Sequence, residues 1–176
     1  DVYKRQDYYR HAIVNENTKK DMATSFESAE GLLVGTIDAT LVAQNIAAAA
    51  EDMGYGMVYL GSLRNDVERV REILDLPKHT FPLFGMALGL PADDENGNPK
   101  PRLPLENIFH HNKYDSDKET QRKTLADYDE TVSKYYASRT NGERNETWSE
   151  QISNFMSAKQ RLDMLEQLNK SGFIKK

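Results

Sequence analysis

The feature that most constrains the fold is an apolar, alanine-rich stretch that begins at Asp38 and closes at Gly54. Asp38 is a residue type that often caps the start of a helix. Residues at helical spacing follow it: Leu41, Val42, Asn45, Ile46, Ala49 and Ala50. Residues 47–50 are four alanines with high helix propensity, and Gly54 suits a left-handed helix end. Because small side chains allow close approach, we expect a helix over 38–53 that is buried on more than one side.

The composition sets limits on the class of protein. A chain of 176 residues can form one domain with an arm, and 29% charged residues require long solvated stretches. A net charge of −5 argues against a general binder of nucleic acid or anionic membranes. The chain has no uninterrupted apolar run of about 18 residues, and its N-terminus lacks the apolar region of a secretory signal, so we expect no membrane span. The absence of cysteine excludes disulfides and thiolate zinc sites, and it suits a reducing cytoplasm.

Hydrophobic periodicity predicts several further elements in the first half. Residues 57–60 are typical of a buried strand that ends at Gly61, and residues 64–76 form an amphipathic helix pattern. The apolar run 81–90 predicts a central strand. Residues 7–12 can form the end of another strand.

The composition becomes more polar after Pro104. We expect a helix over 117–136, a loop over 139–146, and a last helix over 148–168 that Thr147 caps. This region is too polar to form a core of its own. We therefore expect it to wrap around the first half of the chain or around a partner subunit.

Two cations flank a proline in the segment Lys100–Pro104. Prolines hold such a segment extended, and residues i and i+2 of an extended segment point to the same side. Lys100 and Arg102 can therefore face one target, which indicates a phosphate clamp. A solvated surface loop is the alternative, and the motif alone favours it.

Two other loops carry groups that can bind anions. Gly61–Asn65 lies between a predicted strand and a predicted helix, so its backbone N–H groups can face a ligand, although the signal is unspecific. Arg139 and Arg144 flank a loop and can bind a second phosphate, or the loop is an ordinary helix connection. Tyr135 and Tyr136, beside this loop, are interpreted as packing residues.

The sequence offers no side chain with an obvious catalytic role. His110, His111 and Asp115 are the nearest approach to a metal site, but adjacent residues diverge and rarely bind one ion, so we predict no metal. No serine lies in a nucleophile elbow, and no pair of carboxylates stands out.

Five groups of residues carry a family resemblance when they are taken in order: Thr36–Ala39 with Asn45, Gly54–Asn65, Lys100–Pro104, Tyr135–Arg139 and Thr147–Ser149. Together they resemble the nitroreductase superfamily. The most similar branch is that of the oxygen-insensitive NADPH nitroreductases and FMN-dependent flavin reductases. The resemblance runs from about Asp7 to the C-terminus.

The resemblance implies an α+β fold in which helices enclose a mostly antiparallel sheet, with a helical C-terminal arm. Two subunits of such proteins intertwine and form two FMN sites at their interface. We accordingly assign residues 7–104 to the core of an FMN-binding domain whose N-terminal part is missing, and residues 105–176 to a helical C-terminal extension. We interpret residues 1–6 as an artefact or junction, and the chain as an N-terminally truncated family member.

The resemblance also implies an activity and the residues that support it. The expected enzyme is a cytoplasmic, homodimeric, FMN-dependent NADPH oxidoreductase that reduces nitroaromatics, quinones or free flavin by two-electron ping-pong hydride transfer. The residues implied for FMN are Tyr59, Leu60, Gly61, Ser62, Lys100 and Arg102, and those implied for NADPH are Arg139 and Arg144. The alternative is an inactive, cofactor-free fragment that acts only as a helical dimerisation or interaction module.

Overall fold

The structure is a computed structural model that describes residues 24–92, 98–158 and 160–175. The predicted strand end at residues 7–12 lies outside these residues. The larger elements are α1 (Ala29–Asp52), β1 (Gly56–Leu60), a 3₁₀ helix (Gly61–Asn65), α2 (Val67–Ile73), β2 (Gly85–Gly89), α3 (Leu105–Ile108), α4 (Lys118–Arg139), α5 (Trp148–Ser157) and α6 (Met164–Lys170). The chain divides into two compact units: the first contains the residues up to Ala92 and those from Arg161 onward, and the second contains the residues between them.

Helix α1 begins well before the predicted cap. The hydroxyl of Ser28 accepts a hydrogen bond from the backbone N–H of Gly31 at 3.1 Å, so Ser28 caps the helix. The prediction that Asp38 is the cap was wrong, because Asp38 lies inside α1 and is exposed. The predicted end is confirmed, since Gly54 has φ +82° just after the helix.

Helix α1 buries a narrow stripe of small side chains. Ala43, Ala47 and Ala50 are buried, whereas Leu41 is 61% exposed and Ile46 is also exposed. Within the described residues of one chain, α1 is therefore buried on one side, and not on more than one side as predicted. Helical spacing predicts an apolar face. Neighbouring elements pack most closely against the small alanine side chains, so the alanine stripe is the part of α1 that is buried.

Helix α1 is also long and apolar enough, by length and composition, to cross a membrane: its most apolar 18-residue window has a mean hydropathy of 1.4 and is 11% buried. A few polar residues interrupt the apolar residues of α1. The search for an uninterrupted apolar run in the sequence therefore did not detect this helix. The core helix of a soluble protein, which is mostly buried, and a signal sequence pass the same test of length and composition, so this criterion alone assigns no membrane.

The two described strands pair in antiparallel register, with Met57 opposite Leu88 and Tyr59 opposite Met86. The first strand is confirmed, but its predicted burial was wrong, because Val58 is 53% exposed. The second strand occupies only part of the predicted run. Among the described residues β2 pairs with β1 alone, so they show no second neighbour of the kind that a central strand has.

The core of the first unit contains Val67, Phe81 and Phe173. Partly buried residues pack against it: Leu32, Leu83, Met164, Leu168 and Ile174. The helix predicted over 64–76 is shorter, because a carboxylate oxygen of Asp66 accepts from the backbone N–H of Arg69 at 3.0 Å and starts α2 at Val67. The C-terminal segment thus completes the core of the N-terminal elements.

The second unit contains the most accurately predicted helix. A carboxylate oxygen of Asp117 accepts from the backbone N–H of Glu119 at 3.0 Å and caps α4, which continues to Arg139. Tyr128 and Val132 form its buried face. The antiparallel pair of strands and the predominance of helices agree with the expected α+β class.

The predicted single helix over 148–168 was wrong in its length. Thr147 caps α5 as expected, and its side chain forms a capping box with Glu150, but α5 ends at Ser157. Arg161 has φ +58°, a conformation that interrupts a right-handed helix, and α6 starts only at Met164. The predicted end is confirmed, because Gly172 has φ +98° just after α6.

Candidate functional site

The residues predicted to bind cofactors fall into two groups, and each group lies within one unit. Tyr59, Leu60, Gly61 and Ser62 belong to the first unit. The four predicted cations belong to the second: Lys100, Arg102, Arg139 and Arg144. Each group is described separately below.

The first group forms the junction between β1 and the 3₁₀ helix. The hydroxyl of Tyr59 donates to Oε1 of Gln44 at 3.4 Å, and its ring meets the ring of Phe84 edge-on at 5.3 Å between centroids. Leu60 and Ser62 are exposed. The junction is therefore anchored through Tyr59 and leaves its tip open to a ligand.

Gly61 lies against an arginine of the same junction. A Cβ atom added at Gly61 would lie 3.3 Å from Nη2 of Arg64, so a larger residue would crowd the guanidinium. Arg64 also donates a hydrogen bond to the carbonyl oxygen of Leu83. Burial lowers the pKa of Arg64, and the nearby positive charge of Arg161 adds to this effect. The α-helix predicted from Arg64 starts only at Val67, and the junction itself is a short 3₁₀ helix, so it presents a turn and not an α-helix N-terminus.

The second group is organised by tyrosines on one face of α4. Tyr128 donates from its hydroxyl to the carbonyl oxygen of Pro101 at 3.0 Å. Tyr135 donates from its hydroxyl to the carbonyl oxygen of Asn98 at 3.3 Å. Positions seven and eight residues apart share a helix face. These tyrosines therefore hold the backbone of the segment that carries the predicted phosphate clamp.

Two predicted cations meet at Tyr136. The ammonium nitrogen of Lys100 lies 5.4 Å from the centroid of its ring, and the guanidinium carbon of Arg144 lies 3.8 Å from it. Hydrogen bonding to Lys100, together with the charges of both cations, lowers the pKa of Tyr136, although partial burial opposes this. The structure thus brings together two residues that the sequence assigned to different ligands.

The remaining two cations lie nearby in sequence but differ in their surroundings. Nη1 of Arg139 donates to the hydroxyl oxygen of Tyr135 at 2.7 Å, so this arginine is held by the tyrosine that also contacts the 98–101 segment. Arg102 is exposed. Pro101, which precedes it, is half-buried against α4 through its carbonyl.

An acidic residue completes the loop that carries Arg144. Nη2 of Arg144 forms an ion pair with Oε2 of Glu146 at 2.9 Å, and hydrogen bonding to Glu146 is the main cause of the raised pKa of Arg144. The backbone N–H of Arg144 donates to the hydroxyl oxygen of Thr140 at 2.9 Å. Arg144 is therefore held in place from its backbone and from its side chain.

Sequence reasoning missed the role of the tandem tyrosines. Tyr135 and Tyr136 were interpreted as packing residues, and they are half-buried, but both also hold cations. The signal that could have identified them is their spacing from Tyr128, which places three aromatic hydroxyl groups on one helix face beside basic loops.

The histidine pair shows a local role. Nδ1 of His110 accepts from the backbone N–H of Asp115 at 3.4 Å, and its ring lies 4.6 Å from that of Tyr114. Within the described ranges, no group of three or more potential ligands is suitably placed to hold a metal ion.

Comparisons with known proteins match nearly the whole chain. Residues 9–90 match the Nitroreductase family, and residues 100–176 match the Nitroreductase family, C-terminal domain. An NADPH-dependent oxidoreductase from Staphylococcus saprophyticus is 84% identical over 170 residues, which cover 97% of this chain and 68% of that relative.

Solved structures give the same result. A nitroreductase from B. subtilis superimposes with a TM-score of 0.86 at 40% identity, covering 100% of this chain and 68% of that one. The NADPH:FMN oxidoreductase from Vibrio harveyi, solved in complex with NAD⁺, superimposes with a TM-score of 0.73 at 30% identity, covering 100% of this chain and 78% of that one. The chain therefore belongs to the nitroreductase family, within its NADPH nitroreductase branch.

Proposed function

We propose that this chain is an FMN-dependent NADPH oxidoreductase that reduces small-molecule acceptors. Its NADPH-dependent oxidoreductase activity follows from its relationship to the staphylococcal enzyme and to the solved nitroreductases. The use of FMN is supported by the name of the Vibrio harveyi relative. The observation that carries the proposal is the group of cations that the tyrosines of α4 hold in the second unit.

The chemistry of this donor set fits phosphate groups. A phosphate monoester carries nearly two negative charges near neutral pH and offers several acceptor oxygens. Lys100 and Arg102 supply an ammonium and a guanidinium within three residues of each other, as a phosphate clamp requires. We assign these two residues to the phosphate of FMN.

The junction of β1 with the 3₁₀ helix fits the flat ring of a flavin. We assign Tyr59, Leu60, Gly61 and Ser62 to this role, in which backbone groups contact the ring edge. When it is bound, FMN supplies the two-electron redox chemistry, while the protein positions the ring and tunes its surroundings. The absence of an evident nucleophile or metal ligand is consistent with this division of labour.

We assign Arg139 and Arg144 to NADPH, because its 2′-phosphate requires cations that NADH does not. NADPH binds, gives up its hydride and leaves, and an acceptor then takes two electrons in the same space. Nitroaromatics, quinones and free flavin are the acceptor classes that we propose.

We also propose a cytoplasmic location. NADPH is available there, and the absence of cysteine suits a reducing compartment.

We also propose that the functional form is a homodimer. Several large apolar side chains of α1 are exposed in the single chain, including Leu33, Ile37 and Leu41. A contiguous apolar face of this kind is typical of an interface. A second copy of the chain is the occupant that the family relationship favours.

A visible absorption spectrum tests the proposal against its alternative, a cofactor-free interaction module. We expect the purified chain to retain added FMN through gel filtration, to appear yellow, and to lose its colour when NADPH is added without oxygen. A protein that stays colourless after incubation with FMN would favour the interaction module.

The arginine assignment predicts a change in nucleotide preference. Replacing Arg139 with glutamine should raise the KM for NADPH about tenfold, because a charge-assisted hydrogen bond contributes about 1.5–3 kcal/mol. The KM for NADH should change less than about twofold, since NADH has no 2′-phosphate. Steady-state kinetics with both nucleotides measures this, and Arg122→Gln, an exposed position on the same helix, is the control. Equal increases for the two nucleotides would contradict the assignment.

A further inference from the structure

We propose that Tyr136 is a positioning residue that holds one cation from each proposed phosphate site, Lys100 and Arg144, on a single side chain. The inference rests on the proposed function, which assigns Lys100 to FMN and Arg144 to NADPH. It gives a role to a residue that the proposed function assigns to neither FMN nor NADPH. It also predicts that the two sites are linked through the last turn of α4.

The first argument is the geometry around the ring. Lys100 lies 5.4 Å and Arg144 lies 3.8 Å from its centroid, so two like charges share one small region. Their mutual repulsion opposes this arrangement. An aromatic ring attracts each cation by about 0.5–2 kcal/mol, which offsets the repulsion. Glu146 and Thr140 hold Arg144 as well, but Tyr136 is the side chain that contacts both Arg144 and Lys100.

The second argument is that both cations use both parts of Tyr136. The ammonium of Lys100 and the guanidinium of Arg144 each lie at the distance of a cation–π contact from the ring. Hydrogen bonds from both cations to the hydroxyl contribute to the lowered pKa of Tyr136, and the one from Lys100 is the largest cause. Mutation can separate the contribution of the hydroxyl from that of the ring.

The third argument is that the neighbouring tyrosine repeats the pattern. Tyr135 contacts Arg139 on the loop side and the carbonyl of Asn98 on the segment that leads to Lys100. The two tyrosine rings meet at 5.3 Å between centroids with an interplanar angle of 69°. The adjacent side chains of Tyr135 and Tyr136 thus connect the 98–101 segment with the 139–144 loop. Each of the two tyrosines therefore resists displacement of the other.

Two substitutions of one residue test this inference. Tyr136→Phe keeps the ring and removes the hydroxyl, so we expect the Kd for FMN to rise about three- to tenfold, the effect of losing one ordinary hydrogen bond. The KM for NADPH should rise less, by about twofold, because the hydrogen bond from Arg144 to the hydroxyl is the weakest of the causes that lower the pKa of Tyr136 and Arg144 also pairs with Glu146. Tyr136→Leu removes the ring as well, so it should raise the KM for NADPH at least about threefold and the Kd for FMN further than Tyr136→Phe does. The kcat at saturating FMN and NADPH should stay within about twofold in each variant, because Tyr136 positions groups that bind and does not touch reacting atoms.

Controls separate this inference from the proposed function. Tyr114→Phe and Tyr114→Leu repeat the chemistry at an exposed tyrosine of the same unit and should change neither constant. Circular dichroism checks that each variant is folded, and Tyr136→Phe, a conservative change, remains informative if Tyr136→Leu unfolds.

The outcomes are distinct. If wild type binds FMN and Lys100→Gln weakens it, but both Tyr136 variants behave like wild type, the positioning role is wrong while the proposed function stands. If Tyr136→Leu raises neither constant beyond the effect of Tyr136→Phe, the role of the ring in holding the two cations is wrong. If wild type neither binds FMN nor oxidises NADPH, the proposed function fails and this inference fails with it.

Discussion

Replacing Lys100 and Arg102 together with glutamine should weaken FMN binding by about two orders of magnitude. A hydrogen bond to a charged group contributes about 1.5–3 kcal/mol, and each 1.4 kcal/mol is a factor of ten in affinity. Both side chains are exposed, so part of their charge is screened, and the lower end of this range applies to each. Titration of the FMN-free protein, followed by quenching of flavin fluorescence, measures the change.

A matched control is available on α4. Lys134 is exposed and pairs with Glu130, away from the tyrosine face, so Lys134→Gln should leave the Kd for FMN unchanged. Raising the salt concentration should weaken FMN binding more in wild type than in the double variant, because only wild type retains the two screened charges. A double variant that binds FMN as tightly as wild type would remove Lys100 and Arg102 from the site.

Replacing Phe173 with alanine should lower the free energy of unfolding by about 3–5 kcal/mol, the usual cost of truncating a buried phenylalanine. Phe173 is 4% exposed and packs in the core with Val67 and Phe81. Its backbone N–H also donates to the carbonyl of Leu168 at 2.9 Å, which the substitution retains. Because a typical domain is stable by about 5–15 kcal/mol, this loss leaves little margin.

Urea denaturation followed by far-ultraviolet circular dichroism measures the loss. Fluorescence is less suitable, because the single tryptophan, Trp148, lies in the second unit. Phe109→Ala is the control, since Phe109 is 63% exposed and its truncation should cost about 0.5 kcal/mol or less. Similar losses for the two variants would contradict the assignment of Phe173 to the core.

Features set by neighbouring residues were predicted well. The start of α4 near residue 117, the cap at Thr147 and the helix-terminating glycines Gly54 and Gly172 all occur where expected. Each depends on hydrogen bonds or backbone angles within about one helical turn, so the local sequence contains the necessary information. The family resemblance, which depends on the order of short motifs, was confirmed by the comparisons.

Features that depend on competition between local signals were predicted poorly. Asp38 is a good cap by residue type, but Ser28 caps the same helix earlier because residues 29–37 can also be helical. The run 148–168 has a continuous apolar stripe, yet the helix is interrupted between α5 and α6. In this case α6 packs within the first unit, and the core around Phe173 outweighs the local preference for one helix.

By itself, the sequence determined the family, the α+β class, the main helices and the basic residues from which the proposed phosphate sites are built. Only the tertiary structure decided which of these residues meet. Lys100 and Arg144 are far apart along the chain, and they converge because α4 presents Tyr136 between the segments that carry them. Local propensity does not encode a contact of that kind, because it exists only after α4 has packed against the 98–101 segment and the free energy of that packing has fixed the geometry.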